Sequence, residues 1–419
     1  MNTGNGRPIE EPMRKPISIV LAGIGGMGSV YLASLLENRL SGIFRIEATV
    51  DPFPQKCPYL AELRSLNVPL FASLEEFYSQ RQADLAIISS PIHFHCPQTC
   101  LALSQGSSVL CEKPAAATIQ EVKQMMEAEE RAKRRVAIGY QWSFSAPVQN
   151  LKKDIGAGLF GKARRLKCLY LWPRDEAYYR RNGWAGKQKD EEGRWILDSP
   201  ANNAMAHDLH NMFYVLGRKK ETSARPQQVE AELYRAYDIP NFDTAVIRSF
   251  SEEGVEILFC VSHAAALDTG PIFSYELEKG IITASGRNSE IMAHLPDGSV
   301  KNYGRPDSEP LKKMWEAINL AGSANLPSCG LEAALSQTLC LDGAQDSMPQ
   351  IQNFPRSLLV ERGEPGKRGL AVKGLEEVMR ECYDKSLLPS ELGVSWSKKG
   401  KVINLSNYKY FPGGGKGNA

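Results

Sequence analysis

The stretch "ISIVLAGIGGMGSVYLASLLENRL", residues 17–40, decides the fold. It opens on a near-continuous apolar run, Ile17 to Ala22, of the kind that a strand buried on both faces requires. The run stops at Gly23. Gly23-Ile24-Gly25-Gly26-Met27-Gly28 then gives the G-x-G-x-x-G spacing, and a helix-like segment follows. The next apolar run, "IEATV", ends at Asp51, about 20 residues on, where the dinucleotide fingerprint places an acid. Each residue type has a physical role. Gly23 permits the tight turn, Gly28 allows close helix packing, and Gly25, Gly26 and Met27 bring backbone N–H groups to a pyrophosphate at the positive end of the helix. Asp51 would accept hydrogen bonds from the adenosine ribose and repel a 2′-phosphate. Pro52 and Phe53 after it supply no arginine, so the reading is NAD, with NADP the lesser alternative because Lys56 is near.

Working outward, strand and helix keep alternating. "LAIIS" (85–89), "SVLC" (108–111) and "VAIGY" (136–140) read as further strands, with capping boxes at Ser73/Glu76 and Thr118/Glu121 opening the helices between them. This spacing predicts a parallel, doubly wound sheet. Ligands of such sheets bind beyond the carboxyl ends of the strands. Two loops fall there. "SSPIHFH" carries Ser90, Pro91 and His95, and "VLCEKP" carries Glu112 and Lys113. Pro114 disfavours a helical conformation at Lys113, and a lysine beside a positive charge would have a lowered pKa suited to proton exchange.

Beyond Tyr140 the pattern changes. Trp142 opens a segment that reads as a helix, a turn at Gly161 and a strand from Lys167 to Trp172; alternating strands with a hairpin turn at Glu253-Gly254 follow, as in an antiparallel sheet. In "DSPANNAMAHDLHNMFYVLG" (198–217), Asn203, His207 and His210 have i, i+4, i+7 spacing, so one helical face can present all three. His207 is the leading proton-handling imidazole, and Asn203 can both donate to and accept from a hydroxyl. Histidines at i, i+3 without a carboxylate set do not make a metal site. A second cluster, "LWPRDEAYYRRNGWAGK" (171–187), offers Arg174, Tyr178, Tyr179 and Trp184, whose aromatic faces and cations suit a sugar ring or equally an oligomer contact. Trp142 joins these as a substrate-facing candidate. His93 reads as a loop histidine, and Asp243 and His263 either reach the pocket or pack.

On "AGIGGMG", "SSPIHFH" and above all "VLCEKP", the chain resembles the Gfo/Idh/MocA oxidoreductases, from about Ile17 to the helix around Leu331 to Ser347. The resemblance implies a Rossmann domain paired with an α/β domain whose open, largely antiparallel sheet covers the nicotinamide. It implies oxidation or reduction of a sugar, cyclitol or related hydroxyl. Lys113 becomes the catalytic or substrate-orienting lysine, and Ser90, Pro91 and His95 match the family's T-P-x-x-x-H loop with serine for threonine and Ile92 for asparagine. The family's D-x-G-x-H-x-x-D helix is matched in part: Asn203 stands for the first aspartate, Met205 for the glycine and His210 for the last aspartate, while His207 is kept.

Composition frames this reading. A chain of 419 residues with 42% hydrophobic and 23% charged residues is an ordinary globular protein of more than one domain. The net charge of +2 argues neither for nor against any partner, but no basic block stands out, so nucleic acid is not expected, and no apolar run is long enough to span a bilayer. Nine cysteines without a CxxC pair read as reduced thiols in a cytoplasm, with no zinc site. The expected domains are a disordered arm over 1–15, an NAD-binding Rossmann domain over 16–141, a substrate-binding α/β domain over 142–350, and an extension over 351–419 with a helix over 366–384 and a flexible tail. The expected function is NAD-dependent hydride transfer at a secondary hydroxyl of a sugar, cyclitol or glycoside, in a homo-oligomer, dimer or tetramer. Two alternatives stand beside it: redox-initiated glycoside cleavage with hydride return to a tightly held NAD, and a noncatalytic NAD-binding sensor.

Overall fold

The structure, a computed structural model, describes residues 15–364 and 367–413. The expected arm up to residue 14 and the tail from residue 414 lie outside the described residues.

The N-terminal domain runs β1 (Ile17–Ala22), α1 (Met27–Glu37), β2 (Phe44–Val50), α2 (Leu60–Ser65), β3 (Leu70–Phe71), α3 (Leu74–Gln80), β4 (Leu85–Ile88), α4 (His95–Ser104), β5 (Ser108–Cys111), α5 (Ile119–Ala132) and β6 (Val136–Ile138). Its six strands lie in the order β3-β2-β1-β4-β5-β6, all parallel. Every residue of β1, β4 and β5 is buried, which is why these strands read as continuous apolar runs rather than alternating ones. The strand order reverses between β1 and β4, so the crevice for a ligand opens where the glycine turn and the loop after β4 meet. The edge strand β3 adds to the expected set; at two residues it is too short to show a period. Both capping boxes form in part or whole: Ser73 Oγ accepts from Glu76 N at 3.2 Å, and Glu121 Oε2 accepts from Thr118 N and Oγ1, both at 2.9 Å.

The second domain continues with α6 (Ala146–Gly156), β7 (Ala163–Leu171), α7 (Glu176–Arg180), α8 (Ala206–Val215), β8 (Pro226–Arg235), β9 (Thr244–Ser251), β10 (Glu256–Ser262), β11 (Thr269–Leu277), β12 (Gly280–Ser285), β13 (Ile291–His294), β14 (Val300–Gly304), α9 (Lys312–Leu320) and α10 (Leu331–Ser347). The chain then forms β15 (Gln352–Asn353), β16 (Leu359–Arg362), β17 (Gly369–Val372), α11 (Leu375–Lys385) and β18 (Ile403–Asn404). The large sheet runs β14-β13-β12-β11-β7-β10-β9-β8-β15 with β18 on β8; its pairs are antiparallel except β7 with β10 and β8 with β15. One face meets α8 and α10 and the Rossmann domain. The other is covered by the chain's own extension: Leu375, Met379 and Cys382 of α11 pack on Leu169, Leu258 and Cys260. The expected helix over 366–384 begins later, at Leu375. Residues 369–372 pair with β16 instead, because this stretch lies over a sheet face and finds its backbone partners in a second strand.

Candidate active site

The glycine turn comes first. Gly23 has φ +80°, and a Cβ there would lie 2.7 Å from the Ser89 carbonyl oxygen; a Cβ at Gly28 would lie 1.8 Å from the Gly23 carbonyl oxygen. These glycines therefore let β1, the loop after β4 and α1 close on one another. At Gly25 a Cβ would meet nothing within 4 Å, so the turn faces open space. The N-cap of α1 is Gly26, which offers no side chain, and the first turn holds no acid, so the orphan N–H groups of the helix remain for an anion. Asp51 sits at the tip of β2, where its Oδ2 accepts from Ile24 N at 3.0 Å and its Oδ1 from Phe53 N at 2.8 Å. Each carboxylate oxygen keeps a lone pair for a ribose hydroxyl. The turn, the uncapped helix and the anchored acid fit a dinucleotide.

In the loop after β4, Pro91 lines a cleft with Trp184 and Lys187, and the Ser90 hydroxyl donates to Gln98 Oε1 at 2.6 Å. His95 corrects the sequence expectation of a cofactor contact. It is 1% exposed, and its ring nitrogens lie 2.8 Å from Pro114 O and 2.9 Å from Ser90 O, so it fastens the two loops to each other.

Glu112 is a second correction. Adjacent residues leaving a strand point in opposite directions, and Glu112 turns into the protein as Lys113 turns out. Its Oε1 accepts from Tyr31 Oη and, at 2.5 Å, from Lys313 Nζ; its Oε2 accepts from Lys113 N at 3.1 Å. Lys313 Nζ also reaches Gly139 O at 3.0 Å. A Cβ at Gly139 would lie 2.8 Å from the Glu112 carboxylate, so a glycine is what allows this approach. Burial disfavours the Glu112 carboxylate, but Lys313 outweighs it and holds the pKa below its ordinary value.

Lys113 emerges from the cis Lys113-Pro114 bond and crosses to the second domain. Its Nζ donates to Asn203 O at 2.7 Å and to Asn203 Oδ1 at 3.0 Å; Asn203 Nδ2 in turn donates to Asp198 Oδ1 at 2.8 Å. The donor on one side and the acceptor on the other fix the amide orientation. Burial lowers the Lys113 pKa to about 8; Glu112 and Asp198 oppose the shift, and Lys313 and Arg181 add to it.

His207 lies edge-on to Tyr140, with ring centroids 5.8 Å apart, and stacks loosely on Trp142 at 6.3 Å. Its Nδ1 is buried without a partner. Burial, then the charges of Lys113 and Lys313, hold its pKa well below the ordinary value, so the ring is a neutral imidazole.

Three expected substrate contacts turn inward. His210 is fully buried, stacked 3.9 Å from Tyr140, with Nε2 2.9 Å from Ser143 Oγ. A π-helical turn over Pro200–Ala204, with α8 starting only at Ala206, takes Asn203 out of the α-helical register that the two histidines share. Trp142 is 7% exposed and donates its indole N–H to Asp307 Oδ1 at 2.5 Å, which makes it the backing of His207. The Tyr179 hydroxyl is 3.0 Å from His263 Nδ1, and its ring packs on Tyr237 at 4.8 Å. Asp243 packs as well, accepting from Ala236 N, Tyr237 N and Thr244 Oγ1. Arg174, Tyr178 and Trp184 are half-buried: the Arg174 guanidinium lies 3.6 Å from the Trp172 ring centre and 4.5 Å from that of Tyr178, and Trp184 lines a cleft with Pro91, Phe94 and Lys187.

Sequence reasoning missed Asp198, Arg181 and Lys313. Asp198 and Arg181 stood inside the stretches already singled out. Lys313 left one signal: it shares the buried stripe of α9 with Ala317, where a lysine needs a partner. Among the described residues no cluster of three His, Cys, Asp or Glu side chains could hold a metal, and no helix is long and apolar enough to cross a membrane.

The chain thus pairs a Rossmann domain, with a glycine turn and acid of dinucleotide-binding type, with a mixed open sheet. Residues 17–140 match the family described as "Oxidoreductase family, NAD-binding Rossmann fold", so this N-terminal domain is similar to the NAD-binding domain of the Gfo/Idh/MocA oxidoreductases. The chain is 26% identical over 190 residues to the rhizopine catabolism protein MocA of Rhizobium meliloti, covering 44% of this chain and 58% of that protein. It is 27% identical over 162 residues to inositol 2-dehydrogenase of Corynebacterium glutamicum (strain R), covering 38% and 47%. The matched region thus spans about half the length of these curated relatives. Among solved structures, the WlbA dehydrogenase of Bordetella pertussis in complex with NADH and UDP-GlcNAcA superposes with a TM-score of 0.65 at 21% identity, over 79% of this chain and 97% of that one. An oxidoreductase of Agrobacterium radiobacter gives 0.63 at 14% identity, over 79% and 96%.

Proposed function

We propose that this chain is an NAD-dependent oxidoreductase acting on a secondary hydroxyl of a sugar or cyclitol. The observation that carries the reading is Lys113: an ammonium with its pKa lowered to about 8, projecting from the Rossmann domain onto Asn203 of the second domain beside a neutral His207. A pure binding module needs neither group. The Gly23–Gly28 turn and Asp51 would hold NAD, which supplies the hydride acceptor when bound.

The chain's own residues handle the hydroxyl. Lys113 in its amine form accepts the hydroxyl proton, and the Asn203 carbonyl and amide oxygens fix the position of Nζ while it does so. Asp198 holds the Asn203 amide in place. His207, kept neutral by burial and by Lys113, offers a second hydrogen-bonding group whose charge does not change across the working pH range. The names of relatives that act on ring polyols support the substrate class.

The test is to mix the purified chain with NAD and a panel of monosaccharides, inositols, uronates and glycosides, following NADH absorbance and product mass together. Net NADH with a ketone product is the expected result. Cleaved product without NADH would replace this reading with transient oxidation and hydride return. No reaction with any member, alongside tight NAD binding, would leave the sensor reading.

A further inference from the structure

Beside Lys113 the second domain presents a wall of stacked aromatic and cationic side chains. The Arg174 guanidinium lies 3.6 Å from the Trp172 ring centre and 4.5 Å from that of Tyr178; the Arg181 guanidinium lies 3.7 Å from Tyr178 and 5.3 Å from Trp184. Stacking holds a guanidinium by its face and leaves its in-plane N–H donors for a planar acceptor. Arg181 uses one donor on Tyr178 O at 2.5 Å, and Arg174 Nε is buried with no partner. Neither arginine pairs with a carboxylate among the described residues.

The acids around this wall are engaged elsewhere. Asp198 is 2% exposed, its oxygens accept from Gly186 N at 2.6 Å and Asn203 Nδ2 at 2.8 Å, and burial pushes its pKa up. Asp208 on α8 is buried and raised to about 8, so it is largely neutral at pH 7. Asp268 pairs with Arg287, which itself stacks on Trp172 at 4.3 Å. Glu112 is neutralised by Lys313. Arg174 and Arg181 of the second domain, with Lys113 of the Rossmann domain, are therefore a surplus of positive charge. Two stacked guanidiniums without a carboxylate partner keep charge-assisted donors for an oxyanion.

We propose that the substrate carries an oxyanion, a carboxylate or a phosphate, which Arg174 and Arg181 hold while its reacting hydroxyl lies at Lys113. This rests on the oxidoreductase reading above. It goes further in naming an acidic rather than a neutral sugar or cyclitol.

The test is equilibrium binding to the full chain loaded with NADH, reading calorimetry or NADH fluorescence. The probes are D-glucuronate, D-galacturonate and glucose 6-phosphate against D-glucose, D-galactose and myo-inositol. At least one anion is expected to bind about 10- to 100-fold more tightly than its neutral parent, the span that charge-assisted hydrogen bonds contribute. The uronate and phosphate arms tell which oxyanion is held. In Arg174→Gln and in Arg181→Gln the preference should fall to within about threefold, while NADH affinity, which reads correct folding, is kept. Should either variant lose NADH binding, a sodium chloride titration of the wild-type chain reads the same point: anion affinity falls with salt and neutral-sugar affinity does not. Equal affinity for neutral and anionic probes, no binding of any anion, or a preference that persists in both variants overturns the proposal. Failure of the oxidoreductase reading shows differently, as anion binding with no NADH formed from any sugar and NAD.

Discussion

Asn203 meets Lys113 twice, through its carbonyl oxygen at 2.7 Å and its side-chain oxygen at 3.0 Å. The π-helical turn over Pro200–Ala204 is what turns both oxygens the same way. This links the two domains through the proposed proton-handling group, so the lysine is positioned before any substrate arrives.

The first expectation concerns pH. With the Lys113 pKa lowered to about 8, the group is an ammonium below that value and an amine above it. Oxidation of a hydroxyl needs the amine, so kcat/KM should rise with pH and level off above about 8. Lys113→Ala should lower turnover by about 10²–10⁴-fold and remove this limb. Lys113→Arg should not restore it, because a guanidinium stays protonated. A pH–rate profile with a confirmed substrate checks this, and a limb that survives in Lys113→Ala belongs to another group.

Asn203→Asp tests the partner. The change puts a carboxylate within 3.0 Å of Nζ in place of a neutral amide oxygen. An opposite charge favours the ammonium, so the limb should move to higher pH. Asp198, 2.8 Å from the replaced nitrogen, would then face a like charge, and stability should fall. Profiles of the two proteins that superimpose would show that Lys113 does not set the limb.

How far the sequence carries this reading differs between the two halves. The Rossmann half is legible because its signals are local: apolar runs buried on both faces, a glycine turn, and capping boxes such as Thr118/Glu121. Glu112 could have been placed correctly, since neighbours on a strand end cannot both face the crevice. The break in register between Asn203 and the α8 histidines could not, because a π-helical turn leaves no mark in a 3.6-residue period. Lys313 lies 201 residues from Glu112, and nothing in one sequence pairs them.

That buried pair sets the third expectation. Glu112 and Lys313 are 9% and 1% exposed, so removing one leaves an uncompensated charge. Lys313→Met should destabilise the fold by about 3–5 kcal/mol, whereas Glu112→Gln with Lys313→Met together should lose much less. Denaturant unfolding of the two singles and the double gives the coupling. Additive losses would mean that the pair is not an energetic unit.

The cofactor site gives the fourth. Asp51 is tied to Ile24 N and Phe53 N, so Asp51→Ala removes a ribose acceptor and loosens the glycine turn together. NAD affinity should fall about 10- to 100-fold, the range of hydrogen bonds to a charged group, and the margin over NADP should narrow as the acid's repulsion is lifted. Fluorescence titration with both nucleotides measures it. Unchanged affinities would remove Asp51 from the site.

The two histidines of α8 give the last, because one helix sets them in different surroundings. His207 has a buried, unpartnered Nδ1 and feels the charge of Lys113, so the role proposed for it is at the hydroxyl and not in folding. His207→Ala should cost turnover by about 10²–10⁴-fold with little change in unfolding midpoint. With Lys113→Ala it should lose less than the product of the single effects, as groups on one proton path do. His210 is stacked between Tyr140 at 3.9 Å and Tyr214 at 5.5 Å and bonded to Ser143. His210→Phe keeps the stacking but leaves the Ser143 hydroxyl without its partner, at about 1–3 kcal/mol, and kcat per folded molecule should hold. Turnover and denaturation measured on the same preparations separate the cases. A His210 variant that folds normally and loses its rate would return that residue to the site and would mean that α8 adopts a different register when substrate is bound.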